Sequence, residues 1–440
     1  MGLRDLSDDV LLPIVRQVCA DLGKGLELPT KKQLSLLAVC RRLREVALPV
    51  VYSTVYDTVH DKRTNGDPKD MLICTNLDLV SSAGCLHLVR RVNIRLGLWT
   101  APFRELVNTV RWMRAAREQW DAVHTLKLDI LKMSGWPGDH SWAELSADGD
   151  ETREIWFPRL EVFDLDCCVE ATASPIDGAK RKGRLHFPAL RMLRLRCGEA
   201  TPHVLVRGVF PARMDRVVVA AEAAMLRDVS AMALPSARRF QLLPRRGRRD
   251  EPAAASAIKR ILDSAHDCDK VELKAGGYHL DLQPEDLASA PLTRLEVRKT
   301  IYVDTIVAFI RSLPRLSSLF VKLLNAHNTR PAISVPEAGA GQLVEPISTT
   351  LKYARISFCY SPRNPPRAGK PKWAVLALSY LLLAVPSLSV IVVHGIPGDA
   401  MDGFVDAHVS QYPHLARLRI SIFEPHISSI QKAAPGSSSG

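Results

Sequence analysis

The chain has 440 residues, 47% of them hydrophobic and 24% charged, with 59 Lys and Arg against 47 Asp and Glu for a net charge of +12. That balance excludes wholesale disorder and fibrous or collagen-like structure, and the length exceeds what one small core can fill. Nine cysteines without a single Cys-x-x-Cys pair argue against a disulfide framework or a thiolate zinc site, and for a reducing compartment, cytoplasmic, nuclear or both.

The first elements fall in residues 1–55. Ser7 caps a predicted helix with Asp8 and Asp9 in its first turn, where acids suit the helix dipole, and Leu11, Ile14, Val15 and Val18 share one face. The acids of this opening stretch also argue against a signal or transit peptide. After a polar link, apolar residues at 36, 39, 40, 43, 46 and 47 predict a second helix over 34–48, with Arg41, Arg42 and Arg44 mostly opposite and Pro49 ending it. A module of this size buries little alone, so it should complete its core against a partner or the next domain. Residues 56–84 read as a linker or a repeat cap.

Residues 85–430 carry a repeat. Phe157-Pro-Arg-Leu-Glu-Val-Phe-Asp-Leu165, Phe187 to Leu195, Leu313 to Val321, Val385 to Val393 and Tyr412 to Ile420 all read apolar-Pro-x-Leu-x-x-apolar-x-apolar. Weaker copies start at Val89, Val123, Met214, Ala237, Cys268, Leu292 and Leu351, at intervals of 23 residues (Met214 to Ala237) to 37 (Val123 to Leu160). The closing apolar positions predict a short strand in each copy, with proline stopping the element before it. Amphipathic stretches at 102–120, 252–266 and 304–313 predict helices between copies, and Trp373–Val385 predicts a buried helix followed by a strand over 388–393. Trp373 to Val393 runs 21 residues without a charge, but Pro386 and three serines interrupt it, which disfavours a membrane span. Strand and helix alternating at this period predict a stacked α/β solenoid. Polar insertions at 134–155, 170–184, 330–347 and 361–372 read as loops, and 431–440 as a disordered tail.

These residues carry two resemblances. The repeat is similar to irregular leucine-rich repeats, with Cys168 and Cys359 at the Asn/Cys position. Leu6-Ser-Asp-Asp-Val-Leu-Leu-Pro-Ile14 followed by Leu36-Leu-Ala-Val-Cys-Arg-Arg-Leu-Arg44 resembles the F-box, and an F-box ahead of leucine-rich repeats is an order common among fungal F-box proteins. The resemblance implies docking on the Skp adaptor of an SCF-type cullin–RING ubiquitin ligase through Leu6, Leu11, Ile14, Val39, Cys40 and Leu43. It implies a non-catalytic subunit whose repeats capture a protein target. A scaffold without ligase association and a basic nucleic-acid-binding solenoid are the competing readings.

No phosphate-binding glycine loop, zinc-protease helix motif or nucleophile elbow is present, and no histidine pair has ligand spacing with a third donor nearby, so neither a metal nor a cofactor is expected. The basic runs at 180–184 and 245–249 read as solvated loops. Aromatic residues, at 6%, do not alternate with the basic ones, which disfavours single-stranded nucleic acid. In each repeat the two polar positions of the strand should face one side of a sheet. Acids occupy that face at Asp129, Asp164, Asp166, Glu272 and Glu296 and do not recur after Glu296. Arg298, Lys322, Arg355 and Arg419 come after it, with Phe320 and Val392 among them. Arg298, Phe320, Lys322, Arg355 and Arg419 are therefore the candidate target-binding residues, for an acidic or phosphorylated segment.

Overall fold

The computed structural model describes residues 6–22, 31–61, 71–75, 80, 82–97, 122–131, 155–167, 185–196, 208–222, 226, 229–230, 234–245, 253–275, 283–288, 290–301, 303–324, 343–359, 372–396, 401 and 403–423. The chain divides into two compact units, Met1–Arg239 and Phe240–Gly440.

The first unit opens with three helices, α1 (Asp8–Leu22), α2 (Lys31–Val39) and α3 (Arg41–Val51). Leu11, Val15 and Cys19 of α1 are buried, as are Leu43, Ala47 and Val51 of α3, which packs against both other helices. The single helix expected over 34–48 is two. Cys40 between them is extended (φ −160°, ψ 162°), and its Sγ accepts the Leu43 N–H at 3.4 Å, satisfying one of the donors a helix start leaves free. Pro49 does not end α3. It removes one bond to the preceding turn, and the helix still continues to Val51.

Tyr52 and Ser53 lead straight from α3 into β1 (Thr54–Asp61). The stretch read as a linker or cap thus carries most of β1 and all of β2 (Met71–Thr75), which pairs antiparallel to it. Next come β3 (Arg91–Gly97), β4 (Thr125–Leu131), β6 (Val162–Cys167), β8 (Met192–Arg196) and β10 (Met214–Glu222). These lie in the order β10-β8-β6-β4-β3-β1-β2, parallel everywhere except at β2. Three two-residue strands, β5 (Ile155–Trp156), β7 (Leu185–His186) and β9 (Gly208–Val209), make a second small parallel sheet. The phenylalanine after each of them stacks on its neighbour: Phe157 on Phe187 at 5.3 Å and Phe187 on Phe210 at 5.7 Å.

Strand β11 (Ala237–Arg245) spans the boundary, and Phe240 onward opens the second unit. That unit continues with α4 (Ala253–Asp263), β12 (Lys270–Ala275), β13 (Arg294–Ile301), α5 (Val303–Ser312), β14 (Ser318–Leu324) and β15 (Tyr353–Cys359). It closes with α6 (Lys372–Ala384), β16 (Val390–His394), α7 (Phe404–His408) and β17 (Arg419–Phe423). Strands β12 to β17 lie side by side in sequence order, all parallel. The protein is therefore mixed α/β, built on parallel strands, and each of the twelve repeat copies supplies one strand.

The repeat consensus has a local cause. In all five strong copies the leucine N–H donates to the carbonyl of the apolar residue before proline, as in Leu190 to Phe187 (3.2 Å) and Leu316 to Leu313 (3.1 Å). Proline holds the second position of that turn, where its fixed φ belongs, and the leucine that closes the turn is buried. The next residue starts a ladder: Ser317 N–H donates to Thr293 O, Lys352 to Ser317 O and Ser389 to Lys352 O, while in the last copy a further turn, Leu418 N–H to Leu415 O, comes before Arg419 donates to Ser389 O. The turn thus sets the register before the strand begins. Helices α4 and α5 bury one face each, through Ile258, Ile261 and Leu262 and through Ile306, Phe309 and Ile310.

Helix α6 is buried nearly all round but has only 13 residues, short of the roughly 20 that span a bilayer. Among the described residues no helix is long and apolar enough to cross a membrane. The helix expected at 102–120, most of the four insertions, the basic run 180–184, all but Arg245 of the run 245–249, Cys168 and the tail 431–440 lie outside the described residues.

Candidate functional site

Two surfaces hold the candidate residues. On the helical module, Leu11 is 1% exposed and Leu43 8%, both in its core, while Ile14 at 41% and Val39 at 61% face solvent. Leu6 and Cys40 are half-buried, Cys40 as the cap of α3. The helical period accounts for the split: Leu11 and Val15 point inward, and Val10 and Ile14, one turn apart, point out. Val10, 46% exposed, belongs with Ile14 and was overlooked in the sequence because it was not counted on the apolar face. Around them Arg42 reaches Asp8 at 3.2 Å, tying α3 to the start of α1, and Arg44 donates to the Leu37 carbonyl at 2.7 Å across the α2–α3 break.

The polar strand positions of the first unit match rung for rung as expected. Asn93 faces Lys127, then Asp164, Arg194 and Val218, and Arg95 faces Asp129, Asp166, Arg196 and Ala220. Arg194 bonds Asp164 at 3.0 Å and Arg196 bonds Asp166 at 2.9 Å, while Val218 and Ala220 are buried. Asp164 and Asp166 are therefore neutralised by the neighbouring repeat.

In the second unit the register departs from the expected rungs. Glu272 faces Arg294 rather than Glu296, and Lys274 faces Glu296. A bulge between Val297 and Thr300 brings Thr300, not Arg298, opposite Lys322. Arg298 therefore has no registered partner on β14, and its side chain lies outside the described residues. Further along, Arg419 faces Val390, and Ser421 faces Val392. The pairs Phe320–Arg355 and Lys322–Ser357 fall as expected.

Where this face passes over β12 it is closed, with Glu272 3% exposed and accepting from Gln241 Nε2 at 3.0 Å. From β14 to β17 it is open: Lys322, Arg355, Arg419 and Ser421 are exposed, and Phe320, Tyr353, Val392 and His394 are half-buried. The opposite positions Leu319, Val321, Ala354, Ile356, Ile391 and Val393 are buried. Arg294 lies over the Phe320 ring, 4.1 Å from its centre, and 3.7 Å from Glu296. Phe320 meets Tyr353 at 5.2 Å, and His394 stacks on Phe423 at 4.9 Å. Burial, and then the Arg355 guanidinium, hold the His394 imidazole below the ordinary histidine range.

Gly395, at φ +89°, follows His394. A Cβ there would meet the Phe358 carbonyl oxygen at 2.5 Å, so glycine is needed for β16 to leave the sheet beside β15. Arg294, Tyr353 and Phe423 were missed in the sequence because each strand was read for only two polar positions, and one further alternation step reaches all three. His394 is the second of the two positions on its strand, but an uncharged imidazole did not single it out.

Among the described residues no group of three or more His, Cys, Asp and Glu is placed to hold a metal ion. No family model matches the chain, and no curated protein matches it in sequence.

Proposed function

We propose that this chain is the substrate-recognition subunit of an SCF-type cullin–RING ubiquitin ligase, an F-box protein with irregular leucine-rich repeats. In this reading helices α1–α3 dock on the Skp adaptor and the repeats capture a protein target in the cytoplasm or nucleus. The subunit breaks no bond itself. It raises the effective concentration of the target near the charged conjugating enzyme.

The observation that carries the reading is the exposure of Val10, Ile14 and Val39 on a three-helix module with a core of its own. A hairpin serving only as a cap would turn such residues inward, whereas a docking module leaves apolar side chains for its partner. The direct passage from α3 through Tyr52 and Ser53 into β1 supports it too, because it joins the helical module to the repeats of the first unit without a linker. The open face of β14–β17, with Phe320, Lys322, Arg355 and Arg419, is the proposed target surface, and Arg298 on β13 belongs with it by sequence position. Co-purification of the full chain with the Skp adaptor tests the proposal. A stoichiometric complex is expected, and a chain that elutes free of the adaptor overturns it.

A further inference from the structure

The charged side chains on the strands of each unit are not all satisfied alike. Asp164 and Asp166 in the first unit are bonded to Arg194 and Arg196, and in the second unit Arg294 is engaged by Phe320 and Glu296. Lys322, Arg355 and Arg419 are exposed and have no ion-pair partner among the described residues. Register fixes their layout. Lys322 is opposite Ser357, so it is diagonal to Arg355, and Arg419 lies two strands beyond Arg355, one alternation step back. With strands about 4.8 Å apart and same-face residues about 6.6 Å apart, the stripe steps about 8 Å and then about 12 Å, obliquely across the sheet. Phe320 and Val392, half-buried, flank its middle member, Arg355.

Resting on the reading that this face captures a target, we infer that its ligand is an extended acidic peptide whose carboxylates are spaced along the chain. A β-extended segment presents same-side residues about every 7 Å, so single acids two residues apart and then about four apart meet the three cations in turn. An apolar side chain between them meets Phe320 and Val392. A phosphate is the poorer fit, because its charge calls for converging cations, and these stand apart. A single-stranded nucleic acid needs free aromatic faces for its bases. Here Arg294 covers one face of Phe320, and His394 and Phe423 stack on each other.

The probe is a fluorescein-labelled peptide repeating Glu-Ser-Glu-Ser-Leu-Ser, which puts acids two and then four residues apart with leucine on the same side, titrated with the full chain by fluorescence anisotropy. Saturable binding that weakens as salt rises is expected. The triple variant Lys322→Glu, Arg355→Glu, Arg419→Glu should lose at least about tenfold in affinity and keep its circular-dichroism spectrum, since all three side chains are exposed. Lys127→Glu in the first unit should change nothing. In parallel, unlabelled glutamate peptide should displace the probe from the wild-type chain while the glutamine version does not, an arm that needs no variant. No binding, equal competition by the glutamine peptide, or an unchanged triple variant overturns the inference. So does tighter binding of a phosphoserine version or of oligothymidylate, in favour of those ligands. Adaptor co-purification is read separately. A chain that binds the peptide but not the adaptor overturns the ligase reading alone, and the reverse result overturns this inference alone.

Discussion

The Arg194 guanidinium reaches Asp164 across β6 and β8 at 3.0 Å, with 28% of the arginine side chain and 13% of the carboxylate side chain exposed. The second oxygen, Asp164 Oδ1, is buried with no hydrogen bond. The pair therefore holds a largely desolvated carboxylate, and removing the cation leaves that charge with less than water would give it. Arg194→Ala should destabilise the first unit by about 1–3 kcal/mol. Arg191→Ala is the control, because Arg191 meets Asp215 at 2.8 Å with 66% and 44% of the two side chains exposed, and its loss should cost under about 1 kcal/mol. Urea unfolding curves of the two variants measure the difference, and equal midpoints would show that the buried rung contributes no more than the surface one.

The rungs of the first unit were legible in the sequence because every copy there pairs from two residues past its aligned apolar position (Val89, Val123, Leu160, Leu190, Met214), so counting four past it gave the true neighbours from Asn93 to Val218. Counting failed in the second unit for local reasons. The bulge after Val297 inserts residues that no composition signal marks, and Arg419 falls one alternation step away because the 3-10 turn Pro413–Arg417 puts β17 four residues after Leu415, whereas β16 starts two after Leu388. The twelve strands were readable from alternation and proline. The α2–α3 break was not, because apolar residues at 36, 39, 40 and 43 fit one helix as well as two. Only the extended backbone of Cys40 decides it. At the candidate docking surface, helical spacing identified the apolar residues but not which of them turn outward, which depends on how α3 lies against α1 and α2.

The Cys40 cap is itself testable. A thiol is a weak acceptor, and Sγ lies 3.4 Å from the Leu43 nitrogen. Serine accepts better at the same position, and alanine cannot accept at all. The expected order of melting temperatures is Cys40→Ser at or above wild type, then Cys40→Ala lower by the equivalent of about 0.5–1 kcal/mol. An alanine variant as stable as serine would remove the cap from the account of the helix break.

Phe187 is 1% exposed and touches three rings, Phe157 at 5.3 Å, Phe163 at 5.6 Å and Phe210 at 5.7 Å. Truncation removes all three contacts and opens a cavity where the β5–β7–β9 sheet joins the repeats. Phe187→Ala should lower stability by about 3–5 kcal/mol, and Phe187→Leu by markedly less. Chemical denaturation followed by circular dichroism measures both. A cost near that of a surface change would mean the stack is not part of the core.

His394 gives the sheet face of the second unit a pH dependence of definite sign. Burial first, and Arg355 second, depress its folded value, so protonation favours the unfolded chain. The stability it contributes is present above the ordinary histidine range and is lost as the pH falls through the lowered folded value. NMR titration of the ring should place its midpoint below that of a free histidine, and Arg355→Gln should move it upward without restoring it fully. His394→Gln should flatten the fall in melting temperature over that window. A midpoint unmoved by Arg355→Gln would remove the guanidinium as a cause.

The last prediction separates docking from folding on the helical module. Ile14 and Val39 are 41% and 61% exposed, whereas Leu43 is 8% exposed between α1 and α2. An aspartate in place of Ile14 or Val39 meets water in the free chain and is buried only if a partner covers it. In place of Leu43 it is buried in the folded module itself, a desolvation of several kcal/mol. Ile14→Asp with Val39→Asp should therefore abolish adaptor co-purification while the melting curve of the full chain stays within about 1 kcal/mol of wild type. Leu43→Asp should abolish co-purification too, but with loss of helical signal and early proteolysis within residues 8–51. The two outcomes differ in the melt and in the digest, not in the pull-down. A double variant that still binds the adaptor would show that Ile14 and Val39 are not the docking residues, even if Leu43→Asp no longer binds.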